Sequence, residues 1–156
     1  MSRPLIARIH LRALARNLAV ARRLAPTCRI VAVLKANAYG HGVLHAAAAL
    51  GESDAFAVIE LEAAVRLREA GCARDILLLE GVFGQDELAF ASQHGLSLVV
   101  HHEPQLAMLE RVRIQRRFRV FLEINTGLNR LGFPLRQVSV ALARLRTCVR
   151  CPKSCS

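Results

Sequence analysis

Lys35 is the residue of this sequence whose setting most directly indicates chemistry. It ends a continuous apolar run that begins at Ile30, and the segment 39–42, Tyr-Gly-His-Gly, follows shortly after it. The run is typical of a strand buried on both faces, and the glycines are typical of a loop that passes close to a ligand. The chain has 20 arginines and only 2 lysines. The Lys35 stem can lie on apolar surface with its charge in water, or its amine can serve covalent chemistry.

A second candidate lies in the segment 121–133, which reads FLEINTGLNRLGF. Arg130 follows Gly127 in this turn-rich stretch, just after a predicted strand. A guanidinium binds a carboxylate through two parallel hydrogen bonds, although an ordinary surface arginine also fits the position. Glu123 precedes Arg130 by seven residues and is compatible with an ordinary salt-bridged carboxylate as well as with a role beside that arginine.

Hydrophobic periodicity predicts the elements that position these residues. The predicted strands are residues 5–10, 30–34, 56–59, 76–79, 96–100 and 118–124. The predicted helices are residues 11–24, 43–50, 61–68, 86–94 with Asp86 as cap, 104–112, and a last one opened by Pro134 that reaches Leu145. After the first short strand, the chain is therefore five strand–helix units, which indicates a parallel sheet with helical cover. Both an open doubly wound sheet and part of a closed eight-stranded barrel fit this pattern.

Composition narrows the class of protein. Hydrophobic residues make up 53% of the chain and the mean hydropathy is +0.30, which excludes a disordered polypeptide. The net charge of +10 leaves a basic, non-enzymatic interaction protein as an alternative, but the densest arginine cluster, residues 111–119, is predicted to be a solvated turn. Only Phe118 and Phe121 lie near this cluster, so we predict no nucleic-acid partner. We also predict no membrane span and no signal peptide, and therefore a cytoplasmic protein.

The end of the sequence differs from the rest. Residues 147–156 lose the apolar periodicity and are predicted to be an irregular, non-native tail, whereas residues 1–146 form the folded domain. Cys148, Cys151 and Cys155 offer three thiols without a nearby histidine, whereas structural zinc requires four ligands. We predict no metal site.

The stretch AVLKANAYGHG resembles the cofactor-lysine segment of bacterial alanine racemases, and segment 121–133 resembles the substrate-arginine segment of that family. The resemblance runs from about Pro4 to about Leu145. It implies part of a (β/α)8 barrel and the cofactor pyridoxal 5'-phosphate (PLP). It also implies that Lys35 holds PLP and acts as a catalytic base, that Tyr39 hydrogen-bonds the phosphate, and that Arg130 binds the carboxylate of alanine.

Glu123 departs from the family pattern, because many members carry a carbamylated lysine at this position. We interpret Glu123 as a shorter replacement that supports Arg130. The resemblance further implies a homodimer, a C-terminal β domain, and a second catalytic base supplied by a tyrosine of that domain in the partner subunit. We expect this chain to be an N-terminal fragment without that domain, with little activity as an alanine racemase. A PLP-binding or PLP-homeostasis barrel without racemase activity is the main alternative.

Overall fold

A five-stranded parallel sheet organises the structure, a computed structural model that describes residues 5–112 and 118–148. Strands β1 to β5 lie side by side in chain order and are Val31–Val33, Ala55–Val58, Asp75–Leu78, Ser97–Val100 and Val120–Leu122. Helices α1 to α7 are Leu11–Leu24, Lys35–Tyr39, Val43–Ala49, Leu61–Glu69, Gln85–Gln93, Glu103–Arg111 and Val138–Cys148. Two short paired strands, β6 (Ile124–Asn125) and β7 (Phe133–Pro134), follow β5, and a 3-10 turn over Leu135–Gln137 precedes α7. The predicted order of five strand–helix units is confirmed.

The core lies between the sheet and the helices. Every residue of β2 and β4 is buried, as continuous apolar runs in the interior of a parallel sheet predict. Leu67 and Leu88 contribute from the helices, and Phe56 and Ile76 contribute from the sheet. Since neighbouring strands are parallel, their carboxyl ends meet at one edge of the sheet, and side chains that follow the strands gather there.

The two edge strands are more exposed than the sequence predicts. In β1 the side chains of Val31 and Val33 are 41% and 40% exposed, and Phe121 of β5 is 47% exposed. The prediction that the strand before Lys35 is buried on both faces is therefore wrong. An edge strand has a neighbour on one side only, and nothing else in the described residues covers this face of Val31 and Val33.

The strand predicted at residues 5–10 is also absent. These residues form no regular element, and all of them are exposed. Alternating side chains favour a strand only where a partner strand completes its hydrogen bonds, and no strand in residues 5–112 and 118–148 pairs with this segment.

Several boundaries differ from the prediction. Helix α5 begins at Gln85 with Gly84 as its N-cap, so Asp86 lies inside the first turn rather than capping it. The strand predicted over 118–124 divides into β5 and β6, and Pro134 lies in β7 rather than at the start of a helix. Helix α7 extends to Cys148, two residues into the predicted tail, whereas 149–156 lie outside the described residues. Among the described helices, none is both long enough and apolar enough to cross a membrane.

The arginine-rich segment 111–119 is only partly described, because Arg113, Arg116 and Arg117 lie outside the described residues. Arg119 forms an ion pair with Asp75 at the start of β3, and Arg29 lies 3.9 Å from the same carboxylate. Arg119 is therefore tied to the sheet rather than being simply a solvated charge of a turn.

Asp54 joins α1 to the beginning of the sheet. Its Oδ2 accepts hydrogen bonds from the backbone N–H of Ile30 at 2.6 Å and from Arg22 at 2.9 Å, while Arg22 also donates to the carbonyl of Glu52 at 2.7 Å. The backbone N–H from Ile30, and then the guanidinium of Arg22, hold the pKa of Asp54 below its ordinary value of 3.8. The charged carboxylate is thus favoured in the folded state.

We expect Asp54→Asn to destabilise the fold at neutral pH but much less in acid. A carboxyl group whose pKa is lower in the folded state stabilises the protein above its unfolded pKa, and this contribution disappears as the pH falls below about 3.8 through the folded pKa. Urea denaturation at pH 7 and pH 3 measures the difference. Glu69→Gln, an exposed control in α4, should show no such dependence on pH, and an equal effect of Asp54→Asn at both pH values would contradict the assignment.

Candidate active site

Lys35 follows β1 at the carboxyl edge of the sheet. Leu34 is buried and donates its N–H to the carbonyl of Ala57 at 2.7 Å, which extends the pairing of β1 with β2 as far as the residue before the lysine. Lys35 itself is partly buried. The amine is therefore carried by a backbone that the sheet fixes up to the preceding residue.

The four residues after Lys35 form a left-handed helical turn. Ala36, Asn37, Ala38 and Tyr39 have φ values between 52° and 55°. This conformation costs about 1–2 kcal/mol per residue for L-amino acids. Ala38 N–H donates to the Leu34 carbonyl at 2.8 Å, which closes the turn onto the end of the strand. The sequence predicts a loop here, and the left-handed turn is a feature that the sequence analysis missed.

Side chains of this segment hold the turn in place. The side-chain oxygen Oδ1 of Asn37 accepts the N–H of Val43 at 2.9 Å, so that it satisfies a free donor in the first turn of α3. His41 Nδ1 lies 2.8 Å from the carbonyl oxygen of Ala38 and donates to it, since a carbonyl can only accept. His41 is thus a hydrogen-bonding residue of this loop. Together these bonds stabilise a backbone that alanine and tyrosine disfavour.

Replacing Ala36 by glycine should therefore stabilise the protein by about 1 kcal/mol, because glycine adopts positive φ without the steric cost. Ala36 is exposed, so little packing is lost. The matched control is Ala15→Gly, at an exposed position in α1, which should destabilise by about 1 kcal/mol. Urea denaturation of both variants measures the two free energies of unfolding. A loss of stability in Ala36→Gly equal to that of the control would contradict the left-handed turn.

Arg130 lies on a closed loop that follows β5, and Glu123 lies between β5 and that loop. Glu123 N–H donates to the Val100 carbonyl at 2.9 Å, and the Glu123 carbonyl accepts the N–H of Phe133 at 2.9 Å. The pairing of β6 with β7 then closes residues 125–132 into a loop. Gly132 makes this closure possible, because a Cβ at that position would lie 2.7 Å from the backbone nitrogen of Asn125.

Asn125 shapes the loop that carries Arg130. Its side-chain oxygen accepts the N–H groups of Gly127 and Asn129 at 3.0 and 3.1 Å, and its amide donates to the Asn129 side chain at 2.9 Å. Asn129 has a φ of 57°. This role of Asn125 was not predicted, although asparagine two residues before glycine is a known signal for a side chain that bonds its own turn.

One cavity of about 440 Å³ brings the candidate residues together. Lys35, Glu123 and Arg130 all line it, although 88 or more residues separate the lysine from the other two. Glu80, which the sequence analysis did not select, is the fourth charged residue of the lining. The rest is apolar: Ile59, Leu77, Leu79, Val99, Phe121, Leu122 and Leu131. Within this group of four charged residues, no ion pair forms.

Tyr39 is not among the residues that line this cavity, and it is 62% exposed. A second cavity of about 340 Å³ lies around the amino ends of β3 and β4, where the Asp75–Arg119 ion pair is found. Within the described parts of the chain, no three histidine, cysteine, aspartate or glutamate residues are grouped so that they could hold a metal ion. The charged groups that line the first cavity are an amine, a guanidinium and two carboxylates.

These residues fit PLP, the cofactor that the resemblance implies. A partly buried primary amine borders the cavity, as covalent attachment of an aldehyde requires, and apolar side chains such as Leu77 and Val99 can pack against an aromatic ring. Arg130 supplies a cation for a carboxylate in the same space. Lys35 is the residue that would hold the cofactor.

Comparison with known proteins agrees with this geometry. Residues 9–152 match the family described as alanine racemase, N-terminal domain. Proteins named alanine racemase from Nitrosospira multiformis and Nitrosomonas europaea are 57% and 51% identical to this chain over 146 residues, or 94% of it. Those alignments cover 41% and 40% of the two relatives, so the chain spans about two fifths of their length.

Solved structures agree in fold. The alanine racemase of Acinetobacter baumannii superposes with a TM-score of 0.83 at 37% identity, over 90% of this chain and 42% of that one. The biosynthetic alanine racemase of Pseudomonas aeruginosa gives a TM-score of 0.81 at 38% identity, over 86% and 38% of the two chains. These matches confirm the expectation of a partial (β/α)8 barrel made of about five units. The chain belongs to the alanine racemase N-terminal domain family.

Proposed function

We propose that the chain supplies the cofactor lysine and the substrate arginine of a PLP-dependent alanine racemase, which interconverts L-alanine and D-alanine. The observation that carries the proposal is that Lys35, Glu123 and Arg130 line the same cavity in a fold shared with alanine racemases. A surface lysine and a surface arginine, the alternatives that the sequence left open, would not be expected to share one apolar-walled cavity.

Each residue has a distinct task in this proposal. The Arg130 guanidinium binds the carboxylate of alanine through two parallel hydrogen bonds and so fixes the position of the α-carbon. The Glu123 carboxylate, which lines the same cavity as Arg130 but forms no ion pair with it, acts on Arg130 through its negative charge, without the carbamylation that a lysine would need. Tyr39 is proposed as a ligand of the cofactor phosphate, on the basis of the family resemblance alone.

Lys35 has two tasks, to hold PLP and to move the α-proton of alanine at its Nζ atom. Bound PLP supplies the electron sink that makes this proton acidic enough to remove at neutral pH. The apolar lining excludes water, which strengthens the interactions of the charged groups that remain. Lys35 and Arg130 together determine which atom of alanine is deprotonated.

Racemisation requires a base on each face of the α-carbon. The sequence has one tyrosine, Tyr39, which does not line the cavity. We therefore propose that the second base comes from outside these 156 residues, from a tyrosine of a partner subunit in a homodimer, as the family resemblance implies. The chain alone is then expected to exchange the α-proton faster than it inverts the configuration.

The proposal predicts a specific defect for Arg130→Ala. Loss of a charge-assisted bidentate contact should raise the KM for alanine, in PLP-dependent exchange of its α-proton in D2O, by about 10- to 100-fold. Arg136→Ala is the control, since Arg136 is exposed on the 3-10 turn and does not line the cavity. Equal KM values for the two variants would contradict the role of Arg130. Attachment of PLP to Lys35 without any exchange would instead favour a PLP-binding barrel without racemase activity.

A further inference from the structure

Glu80 is a charged residue of the cavity that the proposed mechanism does not use. It lies two residues after β3, so it follows the middle strand of the sheet, whereas Lys35 and Glu123 follow the two edge strands. In the proposed function, Arg130 binds the substrate carboxylate, Glu123 acts on Arg130 through its charge, and Lys35 holds the cofactor. Of the four charged residues that line the cavity in the described part of the chain, Glu80 is therefore the one to which the proposed function assigns no task.

A buried glutamine fixes the backbone of Glu80. Gln105 in α6 is only 2% exposed, and its Nε2 donates to the carbonyl oxygens of Glu80 at 2.6 Å and of Val82 at 3.3 Å. Its side-chain oxygen accepts the backbone N–H of His101 at 3.0 Å. The oxygen and the nitrogen of the Gln105 carboxamide are thus both hydrogen-bonded, and together they connect the turn after β3 to the end of β4.

His101 makes a second contact with the same carbonyl. His101 is only 6% exposed, and its Nε2 lies 3.1 Å from the Glu80 oxygen. The same Nε2 lies 3.2 Å from Nε2 of Gln105, so the imidazole contacts both the Glu80 carbonyl and the carboxamide that bonds it. His101 Nδ1 has no partner among the described residues. Gln105 and His101 thus both pack against the backbone carbonyl of Glu80, and Gln105 donates to it.

The backbone around Gly81 is closely packed. Its φ is 67°, and a Cβ at this position would overlap the carbonyl oxygen of Val99 and lie 2.7 Å from Gln105 Nε2. The strand β4 and the carboxamide of Gln105 therefore pack directly against the backbone of residue 81. A turn packed this tightly fixes the backbone of the residue before it, Glu80, at the cavity wall.

We infer that Glu80 is a specificity-determining carboxylate of the cavity, and that Gln105 and His101 are positioning residues that act through it. This inference rests on the proposed function. A negative charge at the wall disfavours amino acids with a second carboxylate, because like charges repel strongly where apolar surface displaces water. The site then accepts small neutral side chains and excludes those of aspartate and glutamate, although a cavity of about 440 Å³ has room for more than a methyl group.

The test measures how readily different amino acids release PLP from Lys35. The chain is loaded with PLP, incubated with increasing L-alanine or L-aspartate, and reduced with borohydride, and the adduct that remains on Lys35 is quantified by mass spectrometry. The result for each protein is the ratio of the aspartate to the alanine concentration that halves this adduct. Free PLP also reacts with each amino acid, but this background reaction is the same for every variant. It therefore does not affect the comparison of the ratio between variants.

We expect Glu80→Gln to lower this ratio by about tenfold, with less than about a threefold change in the value for alanine. Gln105→Met should lower it by a smaller factor although Glu80 is retained, and it should also alter the ring 15N shifts of His101. Gln93→Met, at the exposed end of α5, should change neither. The amount of adduct formed before any amino acid is added should be similar in all four proteins.

Three results would overturn the inference or its parts. An unchanged ratio in Glu80→Gln, a partly buried side chain whose isosteric replacement should fold, rules out the specificity role. An unchanged ratio in a folded Gln105→Met protein rules out positioning by Gln105. Failure of the parent chain to form any Lys35 adduct overturns the proposed function, and the inference with it.

Discussion

Lys35→Arg is expected to abolish the covalent attachment of PLP to this chain. An arginine keeps the positive charge and roughly the length of the side chain, but its guanidinium stays protonated and cannot condense with an aldehyde. The fold should change little, because Lys35 is only partly buried and makes no ion pair with the other charged residues of the cavity. Purified protein is incubated with PLP, reduced with borohydride, digested, and searched for the modified peptide by mass spectrometry.

The chain provides its own matched control, because Lys153 is the second of its two lysines. Lys153→Arg should retain the adduct on Lys35, whereas Lys35→Arg should lose it. Equal melting temperatures for the two variants would exclude misfolding as the cause of the loss. An adduct found only on Lys153 or on the N-terminal amine of the unaltered chain would show that Lys35 is not the cofactor lysine.

Gly81→Ala is expected to destabilise the fold by about 3–4 kcal/mol. The added methyl group would overlap the backbone carbonyl of Val99, which is held in β4, and would lie 2.7 Å from Gln105 Nε2. Overpacking of this kind costs about 1–3 kcal/mol, and the positive φ of 67° adds about 1–2 kcal/mol for any residue other than glycine. Urea denaturation measures the loss, which is a large part of a typical stability of about 5–15 kcal/mol.

Gly71→Ala separates the cost of overpacking from the cost of a positive φ. Gly71 has a φ of 80°, but a Cβ there would meet nothing within 4 Å. Only the conformational cost remains, so this variant should lose about 1–2 kcal/mol. If both variants lost the same amount, the close approach of α6 and β4 to the turn at residue 81 would be contradicted, and the argument for a fixed Glu80 would fail with it.

The sequence predicts the strands and helices of this fold well because each buried strand is an apolar run between glycine-rich turns. It also predicts that Lys35 follows the first strand of the sheet, since the apolar run ends there. It does not predict how exposed Val31 is, because the cover of an edge strand depends on residues far away in the chain. For the same reason, it predicts a strand at residues 5–10 that has no partner among the described residues.

The candidate site is also predicted only in part from the sequence. Lys35, Glu123 and Arg130 belong to two sequence motifs, and the structure brings all three to one cavity. The left-handed turn after Lys35 could not be predicted, because the residues that form it, Ala-Asn-Ala-Tyr, carry no signal for positive φ other than the asparagine. Gln105 was missed because its partners Glu80 and Val82 lie 25 and 23 residues earlier, where no local pattern connects them.

The central claim is that Lys35 and Arg130 act together on alanine, and one measurement tests it most directly. The chain is incubated in D2O with PLP and alanine, and the deuterium that enters the α-position is followed by NMR. We predict exchange clearly above the background of free PLP, and a return to that background in the Lys35→Arg variant. An α-proton that exchanges no faster than with free PLP, in a sample whose Lys35 demonstrably carries the cofactor, would contradict the account.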